Sequence, residues 1–276
     1  MRELLISIVI PVCNIEEATD RCIQNLLSMA SKRPEIIIID NASNVPYKNK
    51  NCTVIRNEKN AGYWPSMLQG IAVAKNNIVM TMHNDVLIWQ QRYDEIIEAY
   101  FDMDDDLAMA GVFGGSGVGL DGGRGNPMGN MLGKEWGMNI RDHGHLMTSA
   151  HPAVVFDSLV MIFDRTKLVQ VEYRDIPPHH WTDRLITLRL IKAGFHALCI
   201  GLAFDHGGSF TAVGSNTLNT FTEDWCKLRG LELDQNWDHT LYKYGEAIFK
   251  QEFLELSKGA TELWVNQAYE YQRVTR

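Results

Sequence analysis

Several polar clusters in this chain stand directly behind short apolar runs. Ile78–Met82 leads into His83-Asn84-Asp85, and Ile36–Ile39 into Asp40-Asn41-Ala42-Ser43. Thr53–Arg56 is followed by Asn57, Asn60 and Gly62, and Leu202-Ala203-Phe204-Asp205 by His206. A buried strand that stops at a carboxylate puts that carboxylate at the carboxyl edge of a sheet, where open α/β sheets bind ligands. One such Asp says little, because turns favour Asp. Repeated on one plan, the clusters point to a shared site. Carboxylate oxygen and imidazole nitrogen are donors for a divalent cation, with Asp85, His206 and His83 as the candidate ligands. Acid–base chemistry needs a carboxylate or imidazole near the reacting hydroxyl. The adjacent His179 and His180, ahead of an expected helix, offer imidazole, and Asp183 suits the first turn of that helix.

The elements that must position these groups follow from hydrophobic pattern. Leu4–Val12 is continuously apolar, as a strand covered on both faces is. Glu16–Lys32 is helical in composition, with Ala18, Cys22, Leu26 and Met29 on one face. Strands are expected over Glu35–Asp40, Cys52–Arg56, Ile78–Met82 and Ala108–Phe113. Helices are expected over Tyr63–Lys75, where Pro65 is tolerated in the first turn, and Gln91–Phe101. This alternation predicts an α/β chain with a mostly parallel, doubly wound sheet flanked by helices.

Residues 111–137 hold 11 of the 22 glycines and keep no helix or strand period. A segment of that length is expected to be a functional loop, open to closing over a ligand. Its Arg124 and Lys134 offer positive charge, and Trp136 a ring for stacking. Ser158–Phe163 resumes as a strand, His180–Ala193 as a helix ending at Gly194, and Phe195–Leu202 as the last sheet strand. From Thr222 the chain reads as helical to its end. The expected organisation is a catalytic domain, 1–221, with a helical C-terminal extension, 222–276, packed on it and offering a homodimer interface.

The chain has 276 residues, 45% of them apolar, and a net charge of −8. Nucleic acid is not expected as a partner, since it requires basic surface. Five scattered cysteines without a CxxC pair read as free thiols of a reducing compartment, so a cytoplasmic location is expected. The N-terminal apolar run is too short for a signal peptide, and no transmembrane segment is expected.

Ser7-Ile8-Val9-Ile10-Pro11-Val12-Cys13-Asn14 resembles the opening strand of family 2 glycosyltransferases of the GT-A fold. Ile37-Ile38-Ile39-Asp40-Asn41-Ala42-Ser43 is similar to their second strand, Asn57-Glu58-Lys59-Asn60-Ala61-Gly62 to their Asn-x-Gly turn, and His83-Asn84-Asp85 to their Asp-x-Asp motif. Order and spacing match over roughly residues 5–90, and more loosely over 155–210. The resemblance implies transfer of a hexosyl or deoxyhexosyl group from a nucleotide-diphosphate sugar to a carbohydrate or other hydroxyl acceptor. It assigns donor binding to Pro11, Asp40, Asn41, Asn60, Gly62, Asn84 and Asp85, with Asp40 facing the nucleobase and ribose. It implies a divalent cation, Mn²⁺ or Mg²⁺, on Asp85, with His206 as the late histidine ligand. His83 replaces the first Asp of the motif, so one anionic ligand is absent. Thr182-Asp183 stands where the family has Glu-Asp, which implies Asp183 as base for an inverting displacement, with His180 as its rival.

Two alternatives share parts of this pattern. A sugar nucleotidyltransferase needs a glycine-rich phosphate loop after the first strand, whereas Cys13-Asn14-Ile15-Glu16-Glu17 contains no glycine. A catalytically inactive carbohydrate- or nucleotide-binding module would explain the substituted metal motif. Asp102–Asp106 matches Asp-x-Asp twice but lies between a helix and a strand, at the wrong sheet edge. Gly117-x-Gly119-x-x-Gly122 opens no helix, and so fails as a dinucleotide fingerprint. His143, His145 and His151 read as loop histidines.

Overall fold

The computed structural model describes residues 6–133, 147–207, 220–233 and 236–275. Four parallel strands, β1 (Ile6–Val12), β2 (Glu35–Asn41), β3 (Thr53–Asn57) and β4 (Ile78–Met82), form one half of an eight-stranded sheet in the order β3-β2-β1-β4. Side chains of β1 and β2 divide between two buried clusters. Val9, Ile37 and Ile39 join one, and Ile8, Ile10, Ile36 and Ile38 the other. Helices α1 (Glu16–Met29) and α3 (Tyr93–Met103) cover the second cluster through Leu26 and Ile97, and α2 (Tyr63–Val73) covers the first through Met67 and Ile71. Both faces being covered is why these strands read as unbroken apolar runs.

The other half is mixed. It continues from β4 through β11 (Val160–Asp164), β6 (Leu107–Gly111), β12 (His196–Cys199) and β9 (His151–Pro152). β11 is antiparallel to both β4 and β6, and β9 to β12, so parallel pairing dominates only where βαβ crossovers repeat. The short helix α4 (Arg165–Leu168) follows β11, and α5 (Thr182–Lys192) precedes β12.

The glycine-rich segment is not a structureless loop. β7 (Phe113–Gly119) and β8 (Arg124–Met131) form an antiparallel hairpin within a second, six-stranded sheet. That sheet is completed by β5 (Val86–Ile88), β10 (Val155–Phe156), β13 (Ala203–His206) and β14 (Glu262–Trp264). Ladder hydrogen bonds need no side chains, so glycine erased the sequence period without erasing the strands. Gly117 admits the Trp264 ring, which a Cβ there would meet at 2.6 Å. Lys134, Trp136, His143 and His145 lie outside the described residues.

The strand expected over Phe195–Leu202 is shorter: β12 ends at Cys199 in the first sheet, and a separate strand, β13, follows from Ala203 in the second. The C-terminal part holds α6 (Thr220–Lys227), α7 (Trp237–Leu256) and α8 (Val265–Thr275), but β14 interrupts the expected helical run. Leu263 is buried where β14 pairs with β7. Phe249 and Phe253 of α7 belong to the same buried cluster as Val9.

Candidate active site

β4 ends at Met82, and the chain turns through His83-Asn84-Asp85 into β5. His83 N–H donates to Leu159 O at 3.0 Å, extending the β4–β11 ladder by one residue. Asn84 is buried, and its Nδ2 donates to Thr19 Oγ1 of α1 at 3.0 Å. β13 then pairs antiparallel with β5, setting His206 opposite Val86, and Gly207 N–H donates to Asp85 O at 2.9 Å. Residues 121 positions apart in sequence thereby meet. One donor atom from each of His83, Asp85 and His206 lies within 4.8 Å of the others, and no other group of three His, Cys, Asp or Glu among the described residues does so.

The electrostatics suit a cation. Asp85 is 1% exposed, and His206 Nε2 stands 3.5 Å from its Oδ1. Burial pulls His83 below its ordinary value of 6.5, even against the charge of Asp85, which favours neutral imidazole. Burial pulls on His206 likewise, but the Asp85 carboxylate beside it prevails and holds it above 6.5. Donors on opposite sides of a cation at about 2.1 Å stand about 4.2 Å apart, so small side-chain rotations bring this trio onto one ion. The set fits a divalent cation.

The neighbouring edge is built by asparagine. Asn41, at the end of β2, donates to Asn60 Oδ1 at 2.6 Å and accepts from Ala61 N–H at 2.8 Å and Asn57 Nδ2 at 3.1 Å. Asn60 in turn accepts from Gly62 N–H at 2.8 Å. Gly62 has φ +90°, and a Cβ there would meet Pro178 at 3.0 Å and His179 at 3.1 Å, so both backbone and space require glycine. Pro11, half-buried in β1, lies across from Ile39. Asp40 is held from within the protein. It is 0% exposed, and its oxygens accept from Ser43 N–H at 2.9 Å and Tyr47 N–H at 3.0 Å and pair with Arg56. Burial alone would raise its pKa, but the bonds from Ser43, Tyr47 and Arg56 outweigh that and lower it. Asp40 therefore shapes the loop after β2 from beneath.

Beside the histidine–aspartate cluster opens a cavity of about 460 Å³, lined by Tyr63, Arg124, Asp157, the run His179 to Arg184, and Tyr242. Tyr63 joins the two places: its ring edge meets His83 at 5.2 Å between centroids, and its hydroxyl donates to Ser158 O at 2.6 Å. Asp183, in the first turn of α5, is 5% exposed. Arg184 Nη1 donates to both its oxygens, at 2.9 and 3.1 Å, and Arg184 Nε donates to Gly122 O at 2.9 Å. The hairpin tip is thus fastened to the helix start. His180 also lines the cavity, but its Nε2 is 2.7 Å from Asp238 Oδ1 of α7. Trp181 between them has φ 64°, a left-handed conformation that costs a bulky residue strain and turns the chain into α5.

Several residues of this site gave no sequence signal. Asp157 carries no motif, yet it sits 2.6 Å from Arg124 Nη2 and close enough to feel His83 and His206. Burial opposes its ionisation, but the charge of Arg124, with the nearby imidazoles adding to it, holds its pKa low. Asp238 and Tyr242 are likewise distant in sequence from the recognised clusters, whereas Tyr63 and Trp181 stand directly beside them without a motif of their own. Asp104, from the acidic turn after α3, pairs instead with His196 Nδ1 at 2.8 Å, ahead of β6 and away from this edge.

The model of the family described as glycosyl transferase family 2 matches residues 7–164, more than half of the chain. No curated protein sequence matches significantly. Among solved structures, S. aureus TarS 1–349 superposes with a TM-score of 0.51 at 14% identity, covering 92% of this chain and 73% of that one. The same protein in complex with UDP-GlcNAc gives 0.54 at 13% identity, covering 92% and 74%. At that identity the likeness is one of fold.

Proposed function

Since this chain belongs to glycosyl transferase family 2, we propose that it transfers a hexosyl or deoxyhexosyl group from a nucleotide-diphosphate sugar to a hydroxyl acceptor, with inversion. The observation that carries this reading is a juxtaposition. The His83–Asp85–His206 cluster and the Asp183-lined cavity share a wall at Tyr63, so a donor diphosphate and an acceptor hydroxyl fit side by side. UDP-GlcNAc, bound by the TarS structure of like fold, is the first donor to test.

His83, Asp85 and His206 would hold a divalent cation, Mn²⁺ or Mg²⁺, which supplies positive charge to a departing diphosphate. The asparagine network of Asn41, Asn57 and Asn60 and the Gly62 turn hold the donor edge rigid. Asp40 and Arg56 lock the loop that faces the nucleobase. Asp183 takes the proton of the acceptor hydroxyl, and Arg184 orients its carboxylate through both oxygens. Trp181 and Tyr242 give the cavity an aromatic side suited to a sugar face. His180, tied to Asp238, binds the acceptor.

A panel of nucleotide sugars, scored by thermal stabilisation and by release of nucleoside diphosphate, tests the reading. UDP-sugars are expected to stabilise the chain and to turn over when acceptor and Mn²⁺ are present. Asp85→Ala should leave the melting temperature near that of the parent and cut turnover by about three orders of magnitude, the effect of losing several kcal/mol of charge stabilisation. A folded Asp85→Ala protein that turns over normally would remove the metal from the assignment.

A further inference from the structure

We infer that Asp157 makes the cavity selective for an uncharged, hydroxyl-bearing acceptor, because it occupies the Arg124 guanidinium that a phosphate or carboxylate would need. This rests on the acceptor reading proposed above and names the class of acceptor. Among the described residues that line the cavity, three carboxylates, Asp121, Asp157 and Asp183, face two guanidiniums, Arg124 and Arg184. Both guanidiniums are already paired. Arg124 Nη2 donates to Asp157 Oδ2 at 2.6 Å, lies 3.9 Å from Asp183 Oδ2, and its guanidinium stands over the Phe113 ring at 5.1 Å. Arg184 is engaged by both oxygens of Asp183 and by Gly122 O. His179 adds no charge, since burial pulls its pKa down to about 4. An anion entering here meets more carboxylate than cation, and like charges brought together cost affinity.

A second observation does not depend on charge. Four buried polar atoms of the lining residues have no hydrogen-bond partner among the described residues: Arg124 Nε, His179 Nε2, Trp181 Nε1 and Thr182 Oγ1. Trp181 is 6% exposed and Thr182 3%. A buried polar atom left unpaired is costly, so such a set marks where a ligand supplies the missing bonds. The indole and guanidinium N–H only donate, the threonine hydroxyl donates and accepts, and the imidazole nitrogen does either by tautomer. Ligand hydroxyls, which also do both, satisfy the whole set. They serve Asp157 as well, whose side chain is 31% exposed against 7% for Asp183, and whose Oδ1 accepts from Leu159 N–H at 3.2 Å. A phosphate or carboxylate only accepts, and leaves Asp157 facing another anion. At about 460 Å³ the cavity is in the range of small-molecule sites.

Ligand-observed saturation-transfer NMR on the full chain, without metal or nucleotide, tests this. A panel of methyl hexosides supplies the probes, and the 6-phosphate and the uronate of each binder serve as competitors. We expect at least one hexoside to bind, and Thr182→Val, which removes the unpaired hydroxyl, to weaken it about fivefold. The anionic competitors should displace it only at concentrations about tenfold or more above that of the unmodified sugar. Asp157→Asn should close that gap by freeing Arg124 for the anion. Should Asp157→Asn fail to fold, Arg124→Gln reads the same pair from the other side and should widen the gap. No hexoside binding, binding untouched by Thr182→Val, equal displacement by the anions, or a gap unmoved by either charge variant would each overturn the inference. Failure of the transferase reading looks different. Transfer onto a phosphorylated acceptor as readily as onto its neutral partner would sink the selectivity alone, whereas hexoside binding with no turnover of any nucleotide sugar would sink the transferase and leave the charge preference standing.

Discussion

Asp183 and His180 occupy one cavity with different partners, and those partners separate their roles. Asp183 is gripped by Arg184 at the start of α5, while His180 is held by Asp238 of α7. If Asp183 is the base, Asp183→Asn lowers the rate constant of transfer by about two to four orders of magnitude with donor affinity kept, and His180→Ala mainly weakens acceptor binding. Steady-state kinetics on both variants checks this, and the opposite pattern would make the histidine the base. His179 offers a pH test. Burial, with the neighbouring His180 adding to it, lowers its pKa from 6.5 to about 4. Between those values the unfolded chain binds a proton that the folded chain refuses. The stability that neutral His179 contributes is therefore complete above 6.5 and lost as pH falls toward 4. Unfolding free energy should fall by up to about 1.4 kcal/mol per pH unit through that window, and His179→Gln should flatten the slope in denaturant titrations.

At the scale of elements, the β7–β8 hairpin is the feature most changed by seeing the structure. Eleven glycines in 111–137 predict a loop by composition, yet the backbone makes a paired ladder, and Arg184 fastens its tip. Amide exchange across Phe113–Gly119 and Arg124–Met131 is therefore expected to be slow without any nucleotide sugar. Fast exchange there, slowed by donor, would restore the closing loop. Gly122 has φ +78°, and a Cβ would come within 2.5 Å of the Trp181 ring. Gly122→Ala should cost about 1–3 kcal/mol and release protection at the tip, read by chemical denaturation and exchange together.

For the whole molecule, the C-terminal segment bears directly on the cavity. α7 supplies Phe249 and Phe253 to the buried cluster that contains Val9, and brings Asp238 and Tyr242 to the site. β14 pairs with β7 and buries Leu263. We propose that these parts fold as one cooperative unit. A chain cut before Trp237 is expected to lose its cooperative thermal transition, because removing several large buried side chains at about 2–5 kcal/mol each exceeds the stability of a typical domain. Circular dichroism melts decide this, and a sharp transition in the truncated chain would show an autonomous unit instead. No described helix is long and apolar enough to cross a membrane.

What the sequence determined by itself is whatever depends on near neighbours along the chain. The apolar runs of β1, β2 and β4, the polar residues closing them, and the Asn57–Gly62 turn are legible because burial, strand period and turn geometry act over a few residues. Asp85 at a strand end and Asp183 at a helix start were visible for that reason. Tertiary structure alone decided which of these groups meet. His206 reaches Asp85 only because the chain leaves one sheet after Cys199 and pairs β13 with β5 in another. Asp157 joins the site through Arg124 of the hairpin, and Asp238 through a helix that follows α5 by more than forty residues. Asp40, the most conspicuous acid of its strand, turned out to be enclosed by Ser43, Tyr47 and Arg56. Such pairings are chosen by packing the whole chain at once, since the free energy of a buried contact depends on what surrounds it and not on its place in the sequence.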